Sequence, residues 1–178
     1  LEPLVTQGGD IISYSSPGSP NYVHFSGYLV DENYFANCGG GGGSSSTSSL
    51  DSTAIANMIA GAGGGCDYYF PDGFNGEAIT TNFSTSNPFT VPVGKRLYVL
   101  SSPVNMLVSG ITISAPQAGT FAICNAGDIV EPQTQTTSYY FNGIIVDAVS
   151  SVNAITTNFS TSNPFTVPVG KRLYVLSS

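Results

Sequence analysis

The stretch AITTNFSTSNPFTVPVGKRLYVLSS occupies residues 78–102 and recurs, letter for letter, at 154–178. Its reading decides the fold. Phe89-Thr90-Val91-Pro92-Val93 alternates between faces, Gly94 offers a turn, and Leu97-Tyr98-Val99-Leu100 follows as a second apolar and aromatic run. Short runs of this kind between turn residues, without helical periodicity, predict β-strands. Pro92 has no N–H for a ladder, so its strand is expected at an edge or a bulge. Beyond the first copy, further runs at Met106–Val108, Ile111–Ile113, Phe121–Cys124, Ser138–Phe141 and Ile144–Val149 predict seven or eight short strands, enough for a small antiparallel sandwich of jelly-roll or Ig-like type.

A weaker repeat surrounds the exact one. Leu4-Val5-Thr6-Gln7-Gly8-Gly9-Asp10-Ile11-Ile12 matches Ala122-Ile123-Cys124-Asn125-Ala126-Gly127-Asp128-Ile129-Val130, and Phe25-Ser26-Gly27-Tyr28-Leu29-Val30-Asp31 matches Phe141-Asn142-Gly143-Ile144-Ile145-Val146-Asp147. The chain therefore reads as a repeat array cut out of phase. Residues 78–150 form a complete module, 1–36 the second half of another, and 154–178 a first half. Joining the two halves leaves no counterpart for residues 103–118. An isolated half-sandwich exposes an apolar face and a strand edge, so each half needs a partner: the other half, a neighbouring molecule, or sequence outside 1–178. Between them, 37–77 reads as a Gly/Ser-rich linker, with Leu50, Ala54, Ile55, Met58 and Ile59 at the spacing of a short helix over 50–60.

Composition limits the functions available. Only 8% of residues are charged, against ~25% in ordinary soluble domains, and the net charge is −7. All the basic residues, Lys95, Arg96, Lys171 and Arg172, lie inside the duplicated stretch. No basic footprint suits nucleic acid, and no apolar run is long enough to insert in a membrane as a helix.

Motifs for chemistry are sparse. Gly39–Gly43 and Gly61–Gly65 lack the Lys-Ser/Thr of a phosphate loop, and His24 aligns with Tyr140, so the repeat does not demand imidazole there. Asp10 and Asp128 sit in equivalent Gly-Asp turns, and Asp31 and Asp147 follow equivalent strands, which suggests structural carboxylates. No enzyme activity and no cofactor are expected. Asp67, Asp72, Asn75 and Glu77 gather oxygen ligands beside turns and are the calcium candidates, with a plain turn as the alternative. Cys38 and Cys66 flank the glycine runs and are the disulfide candidate, which would imply an oxidising compartment. Asn82 and Asn158 begin Asn-Phe-Ser glycosylation sequons, and Asp51-Ser52-Thr53 resembles the O-glycosylation signal of secreted Bacteroidota proteins, with Ser52 as acceptor.

The words GYLVDENYF, CGGGGGSSSTSSLDSTAIANMIAGAGGGC, FPDGFNGEAIT and NPFTVPVGKRLYVLSS together resemble secreted flavobacterial low-charge repeat proteins and surface-fibre chains, in which β-sandwich modules alternate with Gly/Ser-rich linkers. The resemblance implies that the first module has its own first half upstream of Leu1, and it adds no catalytic residue. The expectation is a non-enzymatic structural subunit of an extracellular or cell-surface fibre or filament. Its partners are copies of itself in a head-to-tail homopolymer, joined by strand complementation between half-modules, with glycans as possible further partners. The alternative is a carbohydrate- or receptor-binding module in which Tyr68, Tyr69, Tyr139 and Tyr140 stack on sugar rings; strand alternation turns at least one member of each tandem pair inward.

Overall fold

The computed structural model describes residues 4–13, 23–35, 67–73, 75–117, 120–133 and 137–177. The expected linker helix over 50–60, Cys38, Cys66 and Ser52 lie outside them. The described residues are all-β and contain no helix, and so none long and apolar enough to cross a membrane. In chain order the strands are β1 (Leu4–Gln7), β2 (Ile11–Ile12), β3 (Val23–Asp31), β4 (Glu77–Phe83), β5 (Phe89–Thr90), β6 (Lys95–Ser101), β7 (Met106–Val108), β8 (Ile111–Ile113), β9 (Ala122–Cys124), β10 (Ile129–Pro132), β11 (Tyr139–Asp147), β12 (Asn153–Phe159), β13 (Phe165–Thr166) and β14 (Lys171–Ser177).

Strands β4 to β11 make two four-stranded antiparallel sheets, β4-β11-β6-β9 and β5-β10-β7-β8. The first strand of the set pairs with the last, the second with the seventh, the third with the sixth and the fourth with the fifth. That nesting is a jelly roll, one long hairpin folded over on itself. Its innermost turn, Ser109-Gly110, has positive φ at both residues (49° and 85°), as a tight two-residue hairpin requires. The alternating inward residues, among them Phe83, Leu97, Val99, Met106, Ile113, Cys124 and Phe141, fill the core between the sheets.

The remaining strands repeat the plan with a gap. Sheet β1-β14-β3-β12 corresponds strand for strand to β9-β6-β11-β4, and the pair β13-β2 corresponds to β5-β10. Among the described residues no strand takes the place of β7 and β8. This composite roll is thus circularly permuted: strands from residues 4–31 pair with strands from 153–177, and the complete roll is inserted between β3 and β12. Its core is smaller, built on Phe25, Leu29, Phe159, Val167, Leu173 and Val175.

Local details recur in both rolls. Lys95 N–H donates to Pro92 O and Lys171 N–H to Pro168 O (3.1 Å each), closing turns in which Gly94 and Gly170 have φ of 74° and 78°. Pro92 therefore starts a turn rather than sitting in a strand, because β5 already ends at Thr90. Gly143 does not separate two strands as expected; β11 runs through it. There the register against β6 shifts at Asn142/Gly143, and the equivalent shift lies between β3 and β14 beside Gly27. A Cβ at Gly143 would lie 2.5 Å from Tyr98 O, and one at Gly27 would lie still closer to Tyr174 O, so the Phe-x-Gly step is a bulge that no side chain fits.

Candidate functional surface

The outer faces of sheets β1-β14-β3-β12 and β4-β11-β6-β9 meet in a third apolar cluster that contains Tyr28, Val30, Ala154 and Tyr174 from the composite roll and Tyr98, Phe121, Ile123 and Val146 from the complete one. Each such buried side chain contributes about 1.5–3 kcal/mol, so the rolls are welded rather than tethered. The closest approach is at an edge: β9, with its neighbour β8, lies on the face formed by β3 and β12.

An edge strand pressed on another sheet must satisfy its free backbone groups, and side chains do so here. Ile123 N–H donates to Ser26 Oγ (3.2 Å), and Ser114 N–H at the end of β8 donates to His24 Nε2 (3.1 Å). The Asn125 amide imitates a strand: its Nδ2 donates to Ala154 O (2.7 Å), while its Oδ1 accepts Ala154 N–H (3.1 Å). Burial holds the His24 pKa below its ordinary 6.5, so the ring is kept as the neutral acceptor that this contact needs.

Behind Asn125 lies a buried charge network. Arg96 Nη1 donates to Asn125 Oδ1 (2.5 Å), and Nη2 donates to Val152 O (2.5 Å) and Val149 O (3.2 Å). Its Nε lies 2.9 Å from Asp72 Oδ2 as an ion pair, at an angle that makes no hydrogen bond. Asp72 Oδ1 accepts Val149 N–H (2.7 Å), and Oδ2 accepts the Tyr98 hydroxyl. Burial, with the Asp72 carboxylate beside it, pushes the Tyr98 phenol far above its ordinary value and keeps it a donor. Such a pair adds little net stability, because desolvation offsets its attraction, but it defines one geometry.

The segment holding Asp72 is clasped from both sides. Tyr28 and Tyr34 hydroxyls donate to Tyr68 O (2.5 Å) and Pro71 O (2.9 Å) from the composite roll. Phe70 stacks on Phe121 of the complete roll at 5.2 Å.

Of the calcium candidates, Asp72 is thus taken up by Arg96 and Tyr98, and Asp67 Oδ1 accepts Tyr69 N–H in its own turn (2.8 Å); Asn75 and Glu77 are exposed. No group of three or more acidic, His or Cys residues suited to a metal occurs among the described residues. Asp10 and Asp128 close equivalent turns, accepting Gln7 N–H (2.9 Å) and Asn125 N–H (2.7 Å). Asp31 and Asp147 pair with Lys171 (2.7 Å) and Lys95 (2.6 Å). The sequons lie on edge strands, Asn82 exposed on β4 and Asn158 half-buried on β12. Tyr69 and Tyr139 pack inward, while Tyr68 and Tyr140 are exposed; the Tyr68 ring already stacks on Tyr174 at 5.6 Å.

Sequence reasoning did not single out Arg96, Asn125, Ser26 or the contact of His24. Arg96 has the same neighbours in sequence as Arg172, so no local signal separates the buried arginine from the other. A faint signal was the lone histidine itself, standing where the repeat has tyrosine. No known protein family, curated protein or solved structure matches the chain.

Proposed function

We propose that the chain is a non-enzymatic structural subunit of an extracellular fibre or filament, whose neighbours are joined by β-strand complementation between half-modules. The composite roll carries this reading. Its pairs β1–β14, β3–β12 and β2–β13 join residues 4–31 to residues 153–177 across the whole complete roll. The same pairs form equally well between two copies, which is strand exchange. The short sheet adds support: β10 carries β7 on its other side, whereas its counterpart β2 has no strand there among the described residues, and an unpaired strand edge recruits one. The described aspartates are spent on turns, lysines and Arg96, which suits a structural role, and the hydroxyl- and amide-rich, charge-poor surface suits export.

A cysteine trap tests it. Gln7 and Arg172 face each other across β1 and β14. In a chain with Cys38 and Cys66 replaced by serine, Gln7→Cys with Arg172→Cys is oxidised at micromolar concentration. Complementation gives a ladder of covalently linked chains and filaments in negative stain. A disulfide closed within single chains, on a monomer in light scattering, overturns it.

A further inference from the structure

The contact between the two rolls has one used and one unused copy of each of its sides. The donor side is β9, whose Ile123 is fully buried, and its counterpart β1 presents Val5 at 47% exposure. Both residues lie on the outer face of their sheets, since Ile123 is in register with Tyr98 and Val5 with Tyr174. The acceptor side is β12 with β3, and its counterpart is β4 with β11. The strands β12 and β4 share the sequence AITTNF. Yet Ala154 is buried and Thr156 half-buried under β9, whereas Ala78 and Thr80 are open. Identical residues in the two strands thus differ in exposure, and the covered set lies under a neighbouring roll.

We propose that the chain associates head to tail by repeating its own internal contact: the β1 edge of one copy seats on the β4–β11 face of the next, as β9 seats on β12–β3 within the chain. The polar tethers have counterparts on both sides. Gln7 stands where Asn125 stands and reaches the open backbone of Ala78. Asn142 stands where Ser26 stands and offers Oδ1 to Val5 N–H. Arg172, half-exposed and without an ion pair among the described residues, stands where Arg96 stands. The occupant is a second copy because both halves of the contact are already written in one chain, once as a bound pair and once with the edge strands β1 and β4 exposed. The two faces are different patches, so the contact is heterologous: it propagates as an open filament, or as a ring where the rotation per subunit closes. The His24–Ser114 tether has no counterpart, since no described strand replaces β8, and the contact between chains is weaker than the one within. The proposal rests on the reading of the chain as a self-assembling subunit and adds a contact surface independent of strand exchange.

The test uses two variants of the full chain, Val5→Glu and Ala78→Arg, with Val93→Glu as a control at a turn residue that is 95% exposed and belongs to neither face. Sedimentation and light scattering of the unaltered chain show mass rising with concentration. Each face variant raises the concentration for association by about tenfold or more, and the control does not. Each variant keeps one working face, so mixing the two restores association but stops it at two subunits. Far-UV circular dichroism checks folding, and Gln7→Glu replaces Val5→Glu if that variant unfolds. Association of either variant like the unaltered chain, or a mixture that stays monomeric, overturns the proposal and leaves the fibre reading standing. An unaltered chain that stays monomeric at every concentration overturns both.

Discussion

Residues 78–102 and 154–178 have one sequence and two surroundings, and the features they share separate cleanly from those they do not. Both copies close the same loop, with Asn87 N–H on Ser84 Oγ and Asn163 N–H on Ser160 Oγ at 3.0 Å. Both make the glycine turn, both pair their lysine with an aspartate across the sheet, and both bulge opposite a glycine. The differences begin with what lies against the strands. Arg96 is buried among Asp72, Asn125 and two carbonyls, while Arg172 is half-exposed. Tyr98 donates to Asp72, while Tyr174 stacks on Tyr28 at 5.0 Å. Backbone hydrogen bonding follows the segment and its strand partners; burial and charge pairing follow the neighbour.

Single substitutions probe that separation. The largest effect is expected at the arginines. Arg96→Ala leaves the Asp72 carboxylate buried without its cation and costs about 3–5 kcal/mol, whereas Arg172→Ala stays within about 0.5 kcal/mol. Equal losses in urea unfolding would show that the two surroundings are alike after all. A smaller effect of opposite sign is expected at Thr6, which stands where the complete roll has the buried Cys124. Its Oγ1 is buried without a hydrogen-bond partner among the described residues, so Thr6→Val stabilises the composite roll by about 1 kcal/mol; a lower midpoint in the same assay would reveal a partner for the hydroxyl.

The smallest effect is a pH dependence at the contact between the rolls. Because the His24 pKa is lowered in the fold, the unfolded chain binds the proton more readily. The contribution of the neutral ring is complete above its ordinary 6.5 and is lost as pH falls through the lower folded value. His24→Gln flattens the melting temperature in that range. A slope that survives the substitution assigns it to another group.

Much of the fold was legible in the sequence because repeats expose equivalence without needing contacts. The match of Phe25–Asp31 to Phe141–Asp147 pairs β3 with β11 as counterparts, and the Gly-Asp match pairs the turns at Asp10 and Asp128. The unmatched residues 103–118 contain β7 and β8. The choice between jelly roll and Ig-like sandwich was not legible, since it depends on which distant strands pair, and alternation within a strand says nothing about that. Pro92 misled because apolar alternation continues through the turn that Gly94 closes. The surface was the least legible part. Asn125 reads as a turn residue and Asp72 as a loop oxygen, and only the fold brings Arg96 between them. Nothing in Asn82 or Asn158, with the same neighbours on both sides, says that one is open and the other covered.

The insertion of the complete roll between β3 and β12 also sets an order of events in time. On a ribosome, β1 to β3 emerge before β12 to β14, the strands they pair with, which lie beyond residue 152. The complete roll, whose strands are contiguous, folds as a unit in the meantime. Each nascent chain therefore carries three strands without their partners through the synthesis of the complete roll. For the strand exchange proposed above, synthesis rate and local crowding, rather than any residue of the interface, would then set how many chains are linked as they are made.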